Sequence, residues 1–241
     1  PRFNIDKTAK MAVEFYREHG FVILSNIYSE KICNSLMKEW NRSIKNSPNL
    51  LYRQSNGLLE SNEYKYGGFV TNPILNLQSI NPWLFGGLRT SFENSVLTSD
   101  KLAEIASELV EDIPLVVQSM YFEGNSVTWE HQDSYYLDDE RIGMMVGCWI
   151  ALENIDPGAG RFFVIPKSHK YDASEMNTRN SHSYGHQRYI SDIVNLCRIS
   201  DTKGIAPALS AGDVLMWNAL TVHGSLQHTI ETVSYTHLTL P

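Results

Sequence analysis

His131 and Asp133 stand two residues apart in the stretch VTWEHQDSYYLDD. In an extended strand the side chains of residues i and i+2 share a face, so an imidazole and a carboxylate would lie side by side with Gln132 turned away. Two such donors supply two corners of a two-histidine, one-carboxylate non-haem iron site, whose third corner is a histidine from elsewhere. The spacing alone is a weak signal, because a short motif of this kind arises readily by chance.

Six histidines follow Asp133, and most sit in unpromising places. His169 ends a strand-like run, His182 and His186 fall in a polar stretch, and His228 and His237 lie in the tail. A lone histidine is more often a hydrogen-bonded structural or surface residue than a ligand. His223 differs because it closes the β-rich run MWNALTVHGS beside a glycine, where a metal and a cosubstrate need close approach to the backbone.

The elements that must position these residues divide the chain. DKTAKMAVEFYREHG predicts an amphipathic helix with Met11 and Phe15 on one face and Gly20 ending it. FVILSNI follows as a buried strand, and Ser29 caps a second helix with a stripe of Ile32, Leu36 and Trp40. From about Lys45 to Pro82 the pattern is loop-rich, and a third helix runs through SDKLAEIASELVED. After Pro114 the runs LVVQSMYFE, GMMVGCWIAL, GRFFVIP and DVLMWNALTVHG predict strands. The polar stretch between PKSHK and CRIS is read as a long loop over one mouth of a barrel. This is an α+β chain: a β-sandwich or barrel braced by N-terminal helices. One domain over 1–241 is expected, helical and loop-rich through 113 and β-rich over 114–232.

Bulk properties exclude several classes. The chain has 241 residues, 42% of them hydrophobic and 20% charged, as in ordinary folded proteins. A net charge of −7 argues against a nucleic-acid partner. No apolar run approaches a membrane span. The 3 cysteines are too few and too scattered for a disulfide framework, and a cytoplasmic location is the default reading.

From Phe15 to Ser225 the chain resembles the phytanoyl-CoA dioxygenase family of iron(II)- and 2-oxoglutarate-dependent oxygenases. FYREHGFVILSNIYS resembles the family's first helix and strand, and QSMYFE the strand before its metal motif. WEHQDSYY resembles the motif itself. CWIALENIDPGAGRFFVIPKSH resembles the central hairpin, and LSAGDVLMWNALTVHGS the segment of the distal ligand. The hairpin is far more specific than His-x-Asp. The resemblance implies a double-stranded β-helix, a jelly-roll or cupin-like core. It also implies His131, Asp133 and His223 as iron ligands, with Met120, Gln132, Trp149 and Ser225 around 2-oxoglutarate. Gln118 shares the face of Met120 and is added to that group. Tyr135, two residues past Asp133, is expected to touch the substrate, and His182, Tyr184, His186 and Arg188 with Tyr64 and Tyr66 to gate the pocket.

Two departures stand out. Family members bind the far carboxylate of 2-oxoglutarate with an arginine soon after the distal histidine, yet SLQHTIETVSYTHLTLP holds none. Its end, VSYTHLTLP, back-translates to a sequence resembling a transposon-end sequencing adapter, so 233–241 is read as a non-native tail. Some relatives also use a lysine before the third helix, where this chain offers only neutral residues such as Asn76 or Gln78.

The implied chemistry is oxidation of a C–H bond in a small-molecule substrate by O2, with 2-oxoglutarate converted to succinate and carbon dioxide. Related halogenases carry a small residue where Asp133 stands, so hydroxylation or a kindred oxidation is expected. The rival readings are a non-oxidative cupin-like metalloenzyme, an inactive binding protein and a purely structural β-sandwich.

Overall fold

The computed structural model describes residues 1–65, 68–124, 127–171, 185–199, 203–227 and 237–240. Helix α1 (Ile5–His19) is capped by Asn4, whose side chain accepts the Asp6 N–H. It stops at Gly20, where a φ of 81° lets the chain turn straight into strand β1 (Phe21–Leu24). Its buried stripe is Ala12, Val13 and Tyr16, and Met11 faces solvent instead. Ser29 caps α2 (Glu30–Ser43) by accepting the Ile32 N–H, and Cys33, Leu36 and Trp40 are its buried face.

Two small hairpins follow. One pairs β2 (Leu51–Tyr52) with β3 (Leu59–Glu60), the other β4 (Tyr64–Lys65) with β5 (Phe69–Val70). Arg53, fully buried between them, donates to the carbonyls of Glu60 and Asn72 and to the Asn62 side chain. Strand β6 (Ile74–Leu75) leads to α3 (Pro82–Phe92), a helix the sequence reading omitted. Its paired Gly86 and Gly87 weaken local helix propensity, and the burial of Phe85, Leu88 and Phe92 compensates. Helix α4 (Asp100–Val110) matches expectation, capped by Ser99 and buried through Leu102, Ile105 and Leu109.

The strand predicted from LVVQSMYFE is shortened to β7 (Met120–Phe122). Leu115 and Val117 precede the ladder and are 79% and 57% exposed, because no neighbouring strand among the described residues covers them. Then come β8 (Val146–Ala151) and β9 (Phe162–Val164). The stretch read as a loop contains α5 (Gly185–Ile199), and 172–184 lie outside the described residues. Tyr189, Ile193 and Leu196 recur at helical spacing and bury against Ile165 and Val222. A short apolar stripe in a polar sequence is thus enough to hold a helix. The run DVLMWNALTVHG breaks into β10 (Val214–Asn218) and β11 (His223–Ser225) around a turn closed by Thr221 N–H to Asn218 O.

A strand β12 (His237–Leu240) completes an antiparallel sheet of order β1-β10-β8-β12-β7-β6. The residues read as a foreign tail therefore fill a strand position between β7 and β8. The ladder is made by backbone groups, which any sequence supplies. The second sheet pairs β11 with β9 and is widened by bridges His131 to His223 and Val164 to Ile205.

Alternation decides the layering. Trp149, Leu215 and Trp217 point between the two sheets and pack with Val164 and Phe162. Cys148, Ile150 and Met216 point the other way and join the core made with α1, α2, α3 and α4. Strand β8 is consequently buried at all six positions. This is the expected jelly-roll braced by helices. Among the described residues no helix is long and apolar enough to cross a membrane.

Candidate metal centre

His131, at an isolated bridge, sits directly opposite His223 of β11. Each donates its N–H to the other's carbonyl at 3.0 Å, so both side chains leave on the same face, with ring centroids 4.2 Å apart. Asp133 reaches them by a route that strand alternation does not describe. The extended backbone ends at Gln132, and a 3₁₀ turn (Asp133–Tyr135) begins, with Tyr136 and Leu137 N–H donating to the Asp133 carbonyl. The turn brings Asp133 Oδ1 to 3.5 Å from His131 Nε2 and 3.4 Å from His223 Nε2. All three ligand-capable atoms lie within 4.8 Å of one another, and among the described residues this is the cluster able to hold a metal.

The remaining polar atoms of the triad are engaged. His131 Nδ1 is 2.7 Å from the Trp129 carbonyl, and His223 Nδ1 is 2.9 Å from that of Thr221. A carbonyl only accepts, so each Nδ1 carries the proton and each Nε2 offers its lone pair to the centre. The Trp217 indole N–H donates to Asp133 Oδ2 at 2.8 Å. Metal–ligand bonds of about 2.1 Å put neighbouring ligands about 3 Å apart, so the 3.4–3.5 Å separations fit an ion with little movement. Two imidazoles and one carboxylate, with no fourth protein donor among the described residues, are the set that suits iron with open positions.

Electrostatics agree with that role. Burial would raise the Asp133 carboxyl, but the His223 and His131 imidazoles outweigh it and hold the group far below the usual carboxylate range. Burial likewise pulls His131 down, and the hydrogen bond and charge of Asp133 reverse this to a net rise. A metal needs the neutral ring, so binding below the raised His131 value must expel a proton. Apparent affinity for a divalent metal is expected to weaken about tenfold per unit as pH falls through that range. Cobalt(II) titrations between about pH 5 and pH 7 would measure the slope, and a flat profile would contradict the assignment.

Residues with no obvious sequence signature complete the surroundings. Phe162 stacks on the His223 ring at 5.2 Å, and Trp217 lies 5.0 Å from it. Tyr189 of α5 clamps the backbone between the two ligands, accepting the Gln132 N–H at 2.7 Å and donating to the Gln132 carbonyl at 3.1 Å. A tyrosine in a stretch read as loop gave no hint of this. Tyr189→Phe is expected to destabilise the fold by about 1–3 kcal/mol, the cost of a buried N–H left unpaired. Urea unfolding of the two proteins measures it, and equal midpoints would refute the clamp.

Comparison with known proteins agrees with this geometry. The model of the family described as phytanoyl-CoA dioxygenase matches residues 16–231. The chain belongs to the phytanoyl-CoA dioxygenase family. The phytanoyl-CoA dioxygenase domain-containing protein 1 homolog of Caenorhabditis elegans is 31% identical over 151 residues, 60% of this chain and 51% of that protein. The Bos taurus phytanoyl-CoA dioxygenase domain-containing protein 1 is 34% identical over 120 residues, covering 48% and 40%. The chain thus spans about half or less of these relatives. Among solved structures, the non-heme alpha ketoglutarate dependent carbocyclase SnoK superposes with a TM-score of 0.69 at 17% identity, over 100% of this chain and 85% of that one. Apo EctD from S. alaskensis gives 0.63 at 16%, covering 95% and 74%. At these identities the superpositions establish the fold.

The residues that the family resemblance placed around 2-oxoglutarate have different surroundings. Met120 and Trp149 share one row of the large sheet, both opposite Thr239 in register. Trp149 stacks on Phe162 at 6.0 Å and so stands behind it, one layer from His223. Ser225 follows His223 on β11, and its hydroxyl accepts the Thr128 N–H at 2.8 Å. Gln118 precedes β7 outside any strand and is half-buried. Gln132 is turned away from the metal side: its amide nitrogen donates to the Tyr171 and Leu220 carbonyls, both at 2.6 Å, and fastens the ligand-bearing segment.

Other candidate residues are placed as follows. Tyr135 is carried off by the 3₁₀ turn and stacks on Tyr189 with centroids 3.8 Å apart. Asn76 and Gln78 both bond Ser119 through their amide oxygens, the first accepting its N–H and the second its hydroxyl. His186 and Arg188 lie on α5, and His182, Tyr184 and Tyr66 lie outside the described residues.

Proposed function

We propose that this chain is an iron(II)- and 2-oxoglutarate-dependent dioxygenase that oxidises a C–H bond of a small metabolite. The observation that carries the reading is the convergence of His131 Nε2, His223 Nε2 and Asp133 Oδ1, with both Nδ1 atoms and Oδ2 tied to other groups. Bound iron with 2-oxoglutarate supplies the oxidation, in which O2 is consumed, 2-oxoglutarate yields succinate and carbon dioxide, and the substrate gains the oxidising equivalents. The chain's own part is positional. His131, Asp133 and His223 hold the ion, the two backbone carbonyls orient the imidazoles, and Phe162 and Trp149 form an apolar wall that excludes water. The carboxylate of Asp133 fills the position that halogenases leave to halide, which favours hydroxylation, desaturation or ring closure.

Anaerobic titration of the apo-protein with iron(II) and 2-oxoglutarate tests this through the visible charge-transfer band of the chelate. A band lost in His131→Ala is the expected result. Metal binding without a band would favour the non-oxidative metalloenzyme. We also propose that 233–241 is foreign sequence; the matched family segment ends at 231. An identical tail in independently amplified source DNA would overturn that.

A further inference from the structure

We infer that Trp217, seated in a slot kept open by Gly147, is the positioning residue that holds Asp133 as a one-oxygen metal ligand. The two residues are cross-strand partners in the β8–β10 ladder, so any side chain at 147 would leave on the same face as the indole. That face has no room for one. A Cβ at Gly147 would lie 2.2 Å from Trp217 Cε2, 2.4 Å from Cζ2 and 2.6 Å from Nε1. These are the atoms at the nitrogen-bearing edge of the indole, so the absence of a side chain at 147 lets that edge lie flat across the strand.

The rest of the ring is held in place. Trp217 is 2% exposed, with Phe162 at 4.8 Å and His223 at 5.0 Å between ring centroids. Its single N–H therefore has one direction, toward Asp133 Oδ2 at 2.8 Å. An indole N–H only donates and cannot bind a metal itself. Engaging Oδ2 leaves Oδ1 as the oxygen facing both Nε2 atoms and fixes the rotation of the carboxylate. A carboxylate free to rotate can bind through both oxygens and take a position that a chelating cosubstrate and O2 would need. The contact spans 84 residues of sequence, and neither Trp217 nor Gly147 belongs to the His-x-Asp motif.

The inference rests on the metal-centre reading but not on turnover, so the experiment uses cobalt(II) alone, without 2-oxoglutarate or substrate. Cobalt(II) reports both affinity and, through its visible d–d bands, coordination number. Trp217→Phe keeps an aromatic ring and removes the donor. It is expected to weaken cobalt(II) binding about 10- to 100-fold, the range typical of partners that orient a metal ligand. Its d–d bands should also lose intensity as a second carboxylate oxygen joins the ion. Gly147→Ala should reproduce both changes by displacing the indole edge. The double variant should be no worse than Trp217→Phe, because both act through one hydrogen bond. Leu215→Val, on the same face of the same strand, controls for general loosening of the core and should keep the wild-type constant and spectrum.

Wild-type affinity and bands in both Trp217→Phe and Gly147→Ala would overturn the assignment, as would equal weakening in Leu215→Val. Failure of the wild-type protein to bind cobalt(II) would overturn the metal centre as a whole.

Discussion

His223→Ala is expected to cost the centre its metal while leaving the fold in place. One of three donors disappears, and the loss should exceed the ~10–100-fold typical of an orienting partner, reaching on the order of 1,000-fold. The fold survives because the ladder between residues 131 and 223 is made by backbone groups, each N–H donating at 3.0 Å whatever the side chain. The stability penalty should be about 1–3 kcal/mol, since an almost fully buried ring that packs on Phe162 and Trp217 is replaced by a cavity. Equilibrium dialysis with iron(II) or cobalt(II), paired with urea unfolding of the apo-protein, separates the two effects. Retention of wild-type affinity would remove His223 from the ligand set and with it the triad.

Gly212→Ala is expected to be among the most damaging single substitutions for stability. Gly212 has a φ of 84°, where an L residue is strained, and an added Cβ would lie 1.9 Å from the Tyr28 carbonyl oxygen. That obstacle is backbone, so it cannot swing aside. Gly212 also ties three segments together: its carbonyl accepts the Ile27 and Tyr28 N–H groups, and its N–H donates to Ala151. Forcing Tyr28 away breaks these bonds at the entry to β10, the strand that delivers Trp217 to Asp133. The left-handed backbone costs about 1 kcal/mol and the collision several more, so a total of about 3–5 kcal/mol is expected. Gly57→Ala is the comparison, because Gly57 shares a positive φ of 68° but has nothing among the described residues within 4 Å of an added Cβ. It should lose only about 1 kcal/mol. Matching urea midpoints for the two variants would show that backbone strain, not collision, governs Gly212.

The three ligand-capable residues and the helices α1, α2 and α4 could be read without coordinates, because their signals are local. Asn4 was not foreseen as a cap, but Gly20 and Ser29 act within a few residues of themselves, and the stripes of α2 and α4 repeat at short spacing. His131, Asp133 and His223 stood out through types and flanking motifs. Tertiary structure alone decided how the three meet. A 3₁₀ turn, not strand alternation, swings Asp133 inward, and the same turn carries Tyr135 away to Tyr189. Helix α5 exists because Tyr189, Ile193 and Leu196 find Ile165 and Val222, a burial that its polar composition conceals. Gln132 is drawn off to carbonyls 39 and 88 residues distant, and Trp217 reaches Asp133 across the space between two sheets. Local spacing encodes which face a residue shares with its near neighbours. It carries no information about which distant backbone will stand opposite, and in this protein that opposition assembles the support around the metal site.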